Sequence, residues 1–155
     1  MPIDIGIAEK DRTAIAEGLS RVLADNYTHY LKTHNYHWNE VGPSFPQLHT
    51  MFEDQYRELW AATDTIAERM RALGAKAPGT YAQLSKLTSI HEDNDLPSAN
   101  QMVANLVKGN EQLTKVAREV FNIADAAGDE ATGDLMIERM TAAEKAAWML
   151  RSILE

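Results

Sequence analysis

The chain has 155 residues, enough for one domain with a real hydrophobic core, and its formal charge of −8 disfavours broad binding to nucleic acid or anionic membranes. It has no cysteine, which excludes disulfides, thiolate metal sites and cysteine nucleophiles. No apolar run approaches the length of a membrane span and the first residues show no secretory pattern, so we expect a cytoplasmic protein.

Two long helices are predicted in the first half of the chain. Residues 10–37 carry apolar and aromatic side chains at helical spacing. Residues 39–46, rich in glycine and proline, break this helix, and Ser44 is a candidate cap for the next one. A second helix is predicted over residues 46–73 and ends at Gly74.

The second half begins with a long connection, residues 75–97, in which residues 81–87 can form a short helix. Ser98-x-x-Gln101 has the pattern of a capping box and opens a third helix. Gly128 and Asp129 then stop that helix and cap a fourth, which continues to residue 154.

Four long helices with one long crossover predict an all-α, ferritin-like four-helix bundle, with a short extra helix in the crossover between helices 2 and 3. The bundle is predicted to form a single domain over residues 1–155, of which residues 1–9 are a short tail.

The second predicted helix carries two pairs of possible metal ligands. His49 and Glu53, and likewise Asp64 and Glu68, have the i,i+4 spacing that places both side chains on one helix face. A further imidazole, His37, lies just upstream. Carboxylates and neutral imidazoles together suit Fe(II), Mn(II) or Zn(II).

One helix cannot bring both pairs to one ion, because Glu53 and Asp64 are separated by about 16 Å along the axis at ~1.5 Å per residue. An antiparallel second copy would set Asp64 and Glu68 of one chain opposite His49 and Glu53 of the other. The spacing therefore predicts a metal site shared across a two-fold dimer interface. The chain has no Glu-x-x-His motif, which ferritin-like di-iron proteins use inside one bundle.

Each member of the set has a simpler interpretation when taken alone. Asp64 and Glu68 could form an ordinary solvated helix face. His37 could interact with the C-terminal dipole of the first helix, and His49 could be a hydrogen-bonded interface residue. The metal-site prediction therefore depends on the whole set.

Nearly the whole chain resembles the Dps proteins, mini-ferritins named for DNA protection during starvation. The resemblance is carried by His34-Asn35-Tyr36-His37-Trp38-Asn39, Gly42-Pro43-x-Phe45, Leu48-His49, Phe52-Glu53, Asp64-x-Ile66-Ala67-Glu68-Arg69, Asp129-x-x-Thr132-x-Asp134-Leu135 and Glu144-Lys145-x-x-Trp148-Met149-Leu150.

The resemblance implies a hollow homododecamer with a ferroxidase site at each two-fold interface. The iron ligands would be His37, His49 and Glu53 of one chain and Asp64 and Glu68 of the other. Family members oxidise Fe(II), usually with hydrogen peroxide although oxygen is an alternative, and store ferric mineral in the cavity, which protects against oxidative damage. Trp38 resembles the family tryptophan beside this centre, where it would scavenge stray oxidising equivalents.

A second acidic group surrounds the start of the fourth helix. By resemblance, Asp125, Glu130 and Asp134 match residues that line the three-fold pores through which Fe(II) enters. Three copies would focus a negative potential that attracts cations. The alternative is that these carboxylates only stabilise the positive end of a helix dipole.

The remaining histidines and tryptophans are not expected to bind metal. His34 is predicted to have a hydrogen-bonding role, and His29 and His91 are predicted to lie on the surface. Trp60 and Trp148 are predicted to be core or interface aromatics.

Two other functions remain open. A DNA-binding structural protein associated with the nucleoid is disfavoured, because residues 1–12 and the C-terminus show no lysine-rich extension. We expect no tight DNA binding at neutral pH. The other alternative is a helical cage whose site is inactive or filled by zinc, which suits the same donors.

Overall fold

The computed structural model describes residues 1–155 as a bundle of four long helices and one short helix. These are α1 (Glu9–Asn39), α2 (Phe45–Ala72), α3 (Tyr81–Leu87), α4 (Ala99–Ala126) and α5 (Glu130–Leu154). α1 pairs with α2, α4 pairs with α5, and α1 also packs against α4, while α3 packs on α1 within the crossover. The predicted all-α four-helix bundle is confirmed, and its helix boundaries lie within two residues of those predicted. None of the helices combines enough length and apolar character to span a membrane.

Local sequence explains where the helices end. Gly74 and Gly128 have φ values of +95° and +69°, in the left-handed region where a side chain would be strained. Asp129 then caps α5, because its carboxylate accepts a hydrogen bond from the backbone N–H of Thr132 at 3.0 Å. The predicted cap at Asp129 is confirmed.

Two other predicted caps are only partly correct. Ser44 occupies the N-cap position of α2, but its side chain makes no capping hydrogen bond. Ser98 accepts from the backbone of Gln101 at 3.3 Å, whereas the Gln101 side chain bonds to Asn105 instead of returning to the cap. The complete capping box lies at Thr80-x-x-Gln83, at the start of α3.

The core has two main clusters of apolar side chains. The larger one includes Ile15, Leu19, Ile66, Met70, Val116, Val120, Met136 and Met140. The smaller one consists of Tyr36, Leu48, Phe52, Met102, Val103, Leu106, Val107 and Leu150. Burying each such large side chain stabilises the fold by roughly 1.5–3 kcal/mol. The smaller cluster also anchors the backbone beside two predicted metal ligands, since its members Tyr36 and Leu48 directly precede His37 and His49.

Polar side chains of α1 hold the crossover against the bundle. The buried carboxylate of Asp25 accepts hydrogen bonds from the Thr88 hydroxyl at 2.9 Å and from the Ser89 hydroxyl at 2.6 Å. Further along α1, Lys32 forms an ion pair with Asp93 at 3.3 Å. Asp25 and Lys32 thus attach the crossover between α2 and α4 to α1 at two places.

The prediction that His29 lies on the surface is wrong. His29 is 1% exposed, and neither ring nitrogen has a hydrogen-bond partner. Its ring occupies the space beside Gly109 of α4, where an added Cβ would lie 2.3 Å from the imidazole. His91, by contrast, is exposed, as predicted.

Candidate metal centre

The end of α1 and the first turns of α2 bring two of the predicted ligands into contact. His37 is 7% exposed, and its ring stacks on that of His49 with a centroid distance of 3.7 Å and an interplanar angle of 17°. The short connection between Asn39 and Phe45 makes this contact possible, because it places the start of α2 beside the end of α1. His37 and His49 therefore form a preformed pair within one chain.

Reciprocal hydrogen bonds fix the orientation of both rings. His37 Nδ1 donates to the backbone carbonyl of His49 at 2.8 Å, and His49 Nδ1 donates to that of His37 at 2.9 Å. A carbonyl oxygen only accepts, so each Nδ1 must carry the proton. In the neutral imidazole the lone pair then lies on Nε2, where it is free to bind a metal.

Glu53 lies one turn beyond His49 on α2. Its carboxylate accepts two hydrogen bonds from Arg57, at 2.9 Å from Nε and 2.6 Å from Nη2. These bonds, and the nearby imidazoles of His37 and His49, hold the pKa of Glu53 below its ordinary value. Glu53 is therefore an ionised carboxylate beside the histidine pair.

Asp64 and Glu68 lie on the same helix but away from this cluster. Both side chains are exposed, and no group of three or more histidine, aspartate or glutamate side chains within the chain is arranged to hold a metal ion. The structure thus brings His37 and His49 together beside Glu53, and it leaves Asp64 and Glu68 as a separate acidic pair on α2.

Aromatic rings surround the histidine pair. Trp38, which is 60% exposed, lies on the ring of His34 at a centroid distance of 3.9 Å, and His34 stacks on Tyr56 at 4.0 Å. Tyr56 in turn meets His37 edge-on at 5.1 Å. His34 Nδ1 lies 3.2 Å from the Tyr30 hydroxyl, which confirms its predicted hydrogen-bonding role.

Neither Trp60 nor Trp148 lies in the core. Their exposed fractions are 62% and 61%, so the core interpretation is wrong for both and the interface interpretation stays a prediction. Exposed tryptophans are unusual on a solvated surface, and burial of such rings is a common feature of protein–protein interfaces.

The three predicted pore carboxylates, Asp125, Glu130 and Asp134, are all exposed near the junction of α4 and α5. The carboxylate between them, Asp129, is instead buried and binds Arg69 of α2 at 2.7 Å. Burial opposes ionisation of Asp129, but hydrogen bonds from Thr132 and Arg69 hold its pKa below the ordinary value. Asp129 is therefore used inside the chain, at the junction of α4 and α5, whereas the other three carboxylates face solvent.

Sequence reasoning missed one charged residue close to the centre. Glu40, directly after α1, is 1% exposed, and neither carboxylate oxygen has a hydrogen-bond partner. Burial raises its pKa, whereas the neighbouring His49 lowers it. The sequence does contain a pattern that could have indicated this position: Glu40 follows His37 by three residues, a spacing that places both on one side of the helix end.

Comparison with known proteins places the chain in a family. A family model described as a ferritin-like domain matches residues 16–155. The chain is 40% identical over 155 residues to a low temperature-induced protein of Nostoc sp., covering 99% of this chain and 87% of that one. It is 40% identical over 141 residues to the DNA protection during starvation protein of Brevibacillus brevis, covering 91% and 95%.

A solved structure agrees with both relatives. Dps from Vibrio cholerae, described as a member of a broad superfamily of ferritin-like diiron-carboxylate proteins, matches with a TM-score of 0.94 and 31% identity, covering 100% of this chain and 98% of that one. The fold, the family model and the relatives agree, and the chain belongs to the Dps family of ferritin-like proteins.

Proposed function

We propose that this protein is a ferroxidase and iron store that oxidises Fe(II), preferentially with hydrogen peroxide, and retains the ferric product inside a hollow homododecamer. His37, His49 and Glu53 of one chain and Asp64 and Glu68 of a two-fold partner would bind the Fe(II) substrate. The protective role would follow from removal of both Fe(II) and peroxide.

The observation that carries this proposal is the pair of reciprocal hydrogen bonds between His37 and His49. A metal-binding histidine commonly donates its other ring N–H to a carbonyl or carboxylate, which fixes the tautomer. Both histidines here have that arrangement, with a backbone carbonyl as the acceptor. Two preformed imidazole donors beside an ionised glutamate fit a first-row divalent ion.

We expect the remaining ligands to come from another chain. Asp64 and Glu68 are too far along α2 to join Glu53 on the same ion, because the axial separation is about 16 Å. An antiparallel α2 from a partner would supply two more carboxylates and place negative charge where the cation binds. Arg57, which is 67% exposed, can then release Glu53 to the metal.

Electron counting supports hydrogen peroxide as an oxidant for this site. Two Fe(II) ions supply two electrons to one hydrogen peroxide, and two protons complete two water molecules. A single Fe(II) would supply one electron and release a hydroxyl radical. A site that holds two Fe(II) ions at a dimer interface therefore avoids the damaging product, and the exposed ring of Trp38 would scavenge oxidising equivalents that escape.

Entry and storage would depend on the assembled cage. Asp125, Glu130 and Asp134 are exposed together near the start of α5, and three symmetric copies would create a negative potential that concentrates cations. We propose that this group lines the Fe(II) entry pore.

Direct DNA binding is not part of the proposed function. Proteins gain affinity for DNA when their cationic side chains neutralise phosphates and release the bound counterions. A formal charge of −8 on each chain opposes this binding. A gel-shift measurement at low and moderate salt tests this point, and a retarded DNA band at moderate salt would contradict it.

The direct test is stopped-flow absorbance of Fe(II) oxidation, with peroxide under anaerobic conditions and separately with oxygen. The variants are His49→Ala and Asp64→Asn, and Asp54→Asn, an exposed aspartate on another face of α2, is the matched control. We expect fast oxidation with peroxide in the natural protein and the control, and slow oxidation in both site variants while the oligomer persists. Oxidation rates of the natural protein equal to those of protein-free buffer would contradict the proposal. Metal analysis would then distinguish an inactive site from one filled by zinc.

A further inference from the structure

Aromatic side chains form a stripe along α1 that begins at the candidate metal centre. The stripe consists of Tyr27, Tyr30, His34 and Trp38, whose spacings of three, four and four residues place them on one helix face. Tyr56 of α2 packs against it, since its ring stacks on His34 at 4.0 Å and meets Tyr30 at 6.1 Å. The stripe therefore joins the C-terminal end of α1 to the middle of that helix.

Each ring of the stripe lies close to the next one. The centroid distance is 3.9 Å from Trp38 to His34 and 5.6 Å from His34 to Tyr30. Tyr30 lies 5.8 Å from Tyr27, and Tyr27 meets Tyr81, the first residue of α3, at 6.1 Å. Aromatic rings in contact have centroids up to roughly 7 Å apart, so the series has no break. It covers about 15 Å along α1 between positions 27 and 37.

The rings in this series are of the types that can be oxidised. The chain has three tryptophans and five tyrosines, and six of them belong to the stripe or contact it: Trp38, Trp60, Tyr27, Tyr30, Tyr56 and Tyr81. Phe45 and Phe52 pack on other rings. Packing alone does not explain this choice of residues, because phenylalanine fills the same space but has no phenol that can give up an electron and a proton.

The series connects the metal centre with solvent. Tyr56 meets the ring of His37 edge-on at 5.1 Å. Tyr27 and Tyr30 are half-buried, whereas Tyr81 is 67% exposed. The Tyr30 hydroxyl lies 3.2 Å from a ring nitrogen of His34, which in one neutral tautomer accepts the phenol proton. Electrons can therefore pass from an exposed tyrosine toward the metal centre, with a proton acceptor at Tyr30.

We propose that the stripe and Tyr81 carry oxidising equivalents from the metal centre to the surface of the chain, where a small soluble reductant, such as ascorbate or a thiol, removes them. This inference rests on the proposed oxidation of Fe(II) by hydrogen peroxide. A centre that holds a single Fe(II) gives peroxide one electron and leaves a hydroxide ion and a hydroxyl radical. The radical takes an electron and a proton from the nearest tryptophan or tyrosine and becomes water.

The oxidised ring is then restored by its neighbours. Each tryptophan or tyrosine recovers an electron and a proton from the next one, and His34 bridges Trp38 and Tyr30 without being oxidised itself. The last residue to be oxidised is Tyr81, and the reductant returns its electron and proton. The oxidising equivalent thus leaves the chain without damage to the metal ligands.

The test locates the oxidised residue after the full chain reacts with peroxide at a single Fe(II) per metal site, in the presence of a nitroso spin trap. Peptide mass spectrometry identifies the spin-trap adducts, and stopped-flow absorbance gives the rate of Fe(II) oxidation in the same samples. We expect an adduct on Tyr81 in the natural protein. Tyr27→Phe keeps the ring but removes the phenol, so it should eliminate most of this adduct and leave the oxidation rate unchanged.

Two further variants make this result specific. Tyr30→Phe interrupts the series at a different ring and should also eliminate most of the Tyr81 adduct, so the test does not depend on one substitution. The matched control Trp148→Phe alters an exposed ring outside the series and should leave the Tyr81 adduct unchanged. An undiminished Tyr81 adduct in both tyrosine variants would overturn the inference, because it would mean that radicals in solution attack Tyr81 directly.

A tethered photo-oxidant separates failure of this inference from failure of the proposed function. The chain has no cysteine, so Val41→Cys, at a position that is 79% exposed, provides one attachment point for a ruthenium bipyridine complex near Trp38. Illumination with a sacrificial electron acceptor then oxidises Trp38 without iron. A Tyr81 adduct that forms under illumination and is lost with Tyr27→Phe supports the inference even where Fe(II) oxidation is no faster than in buffer, a rate that contradicts the proposed function alone. Absence of the adduct under illumination, or its absence while Fe(II) oxidation proceeds, would overturn the inference.

Discussion

The buried imidazole of His29 should make the protein sensitive to acid. Burial, followed by the positive charge of Lys32, lowers the pKa of His29 from 6.5 to about 3. The folded chain therefore keeps His29 neutral at a pH where the unfolded chain protonates it. Stability is fully present above about pH 6.5 and is lost as the pH falls from there toward about 3.

The size of this effect follows from the linkage between proton binding and folding. At about pH 4.5 the unfolded imidazole lies two pH units below its pKa, and each unit corresponds to ~1.36 kcal/mol. His29 alone should therefore remove about 3 kcal/mol of the free energy of unfolding between about pH 7.5 and about pH 4.5. The carboxylates also titrate in this window, so the measurement must compare variants.

The assay is urea unfolding of the natural protein, His29→Leu and the control His91→Leu at fixed protein concentration across this pH range. The stability of the His29→Leu variant relative to the natural protein should rise by about 3 kcal/mol on acidification, because leucine takes up no proton. His91 is exposed, so its variant should follow the natural protein. A pH-independent difference for His29→Leu would contradict a lowered pKa of His29, since it would mean that the folded chain protonates His29 as readily as the unfolded chain does.

The close contact between His29 and Gly109 gives a coupled prediction. A Cβ on Gly109 would lie 2.4 Å from His29 Nδ1, so Gly109→Ala should cost roughly 1–3 kcal/mol of unfolding free energy through overpacking. The double variant with His29→Ala should recover part of that loss, and purely additive effects in denaturant unfolding would contradict the contact.

Two further variants test the charged groups. Arg69→Met leaves the buried carboxylate of Asp129 without its 2.7 Å partner and should lower the free energy of unfolding in urea by roughly 3–5 kcal/mol. The control Arg118→Met removes one partner of an exposed ion pair and should lower it by at most about 1 kcal/mol. Equal losses in the two variants would contradict the difference in burial. Arg57→Met removes the group that lowers the pKa of Glu53, so the acid limit of Zn(II) binding measured by calorimetry should move to higher pH. An unchanged pH profile would contradict the combination of a Glu53 pKa lowered by Arg57 and metal binding by Glu53.

The fold could be predicted from the sequence because its signals are local. Glycines at 74 and 128 and the cap at Asp129 end and begin helices by backbone conformation alone, and the structure has them at those positions. The His49 and Glu53 spacing is equally local. The proposed division of the ligands between chains rests on the helix rise, which needs no tertiary information.

Features that depend on packing between helices could not be predicted in this way. His29 lies three positions beyond Asn26 on the buried stripe of α1, but its residue type favoured a surface position, and only the missing side chain of Gly109 makes room for it. The reciprocal hydrogen bonds of His37 and His49 depend on the relative rotation of α1 and α2. Burial of Glu40 depends likewise on the path of the chain between these helices.

The most direct test of the account is complementation between two inactive variants, His49→Ala and Asp64→Asn. If each metal site combines His49 of one chain with Asp64 of its partner, a mixed dimer contains one doubly altered site and one intact site. Unfolding the two variants together and refolding them should then restore about a quarter of the natural rate of Fe(II) oxidation, because about half of the dimers are mixed. A mixture that stays as inactive as its separate components would contradict a site shared between chains.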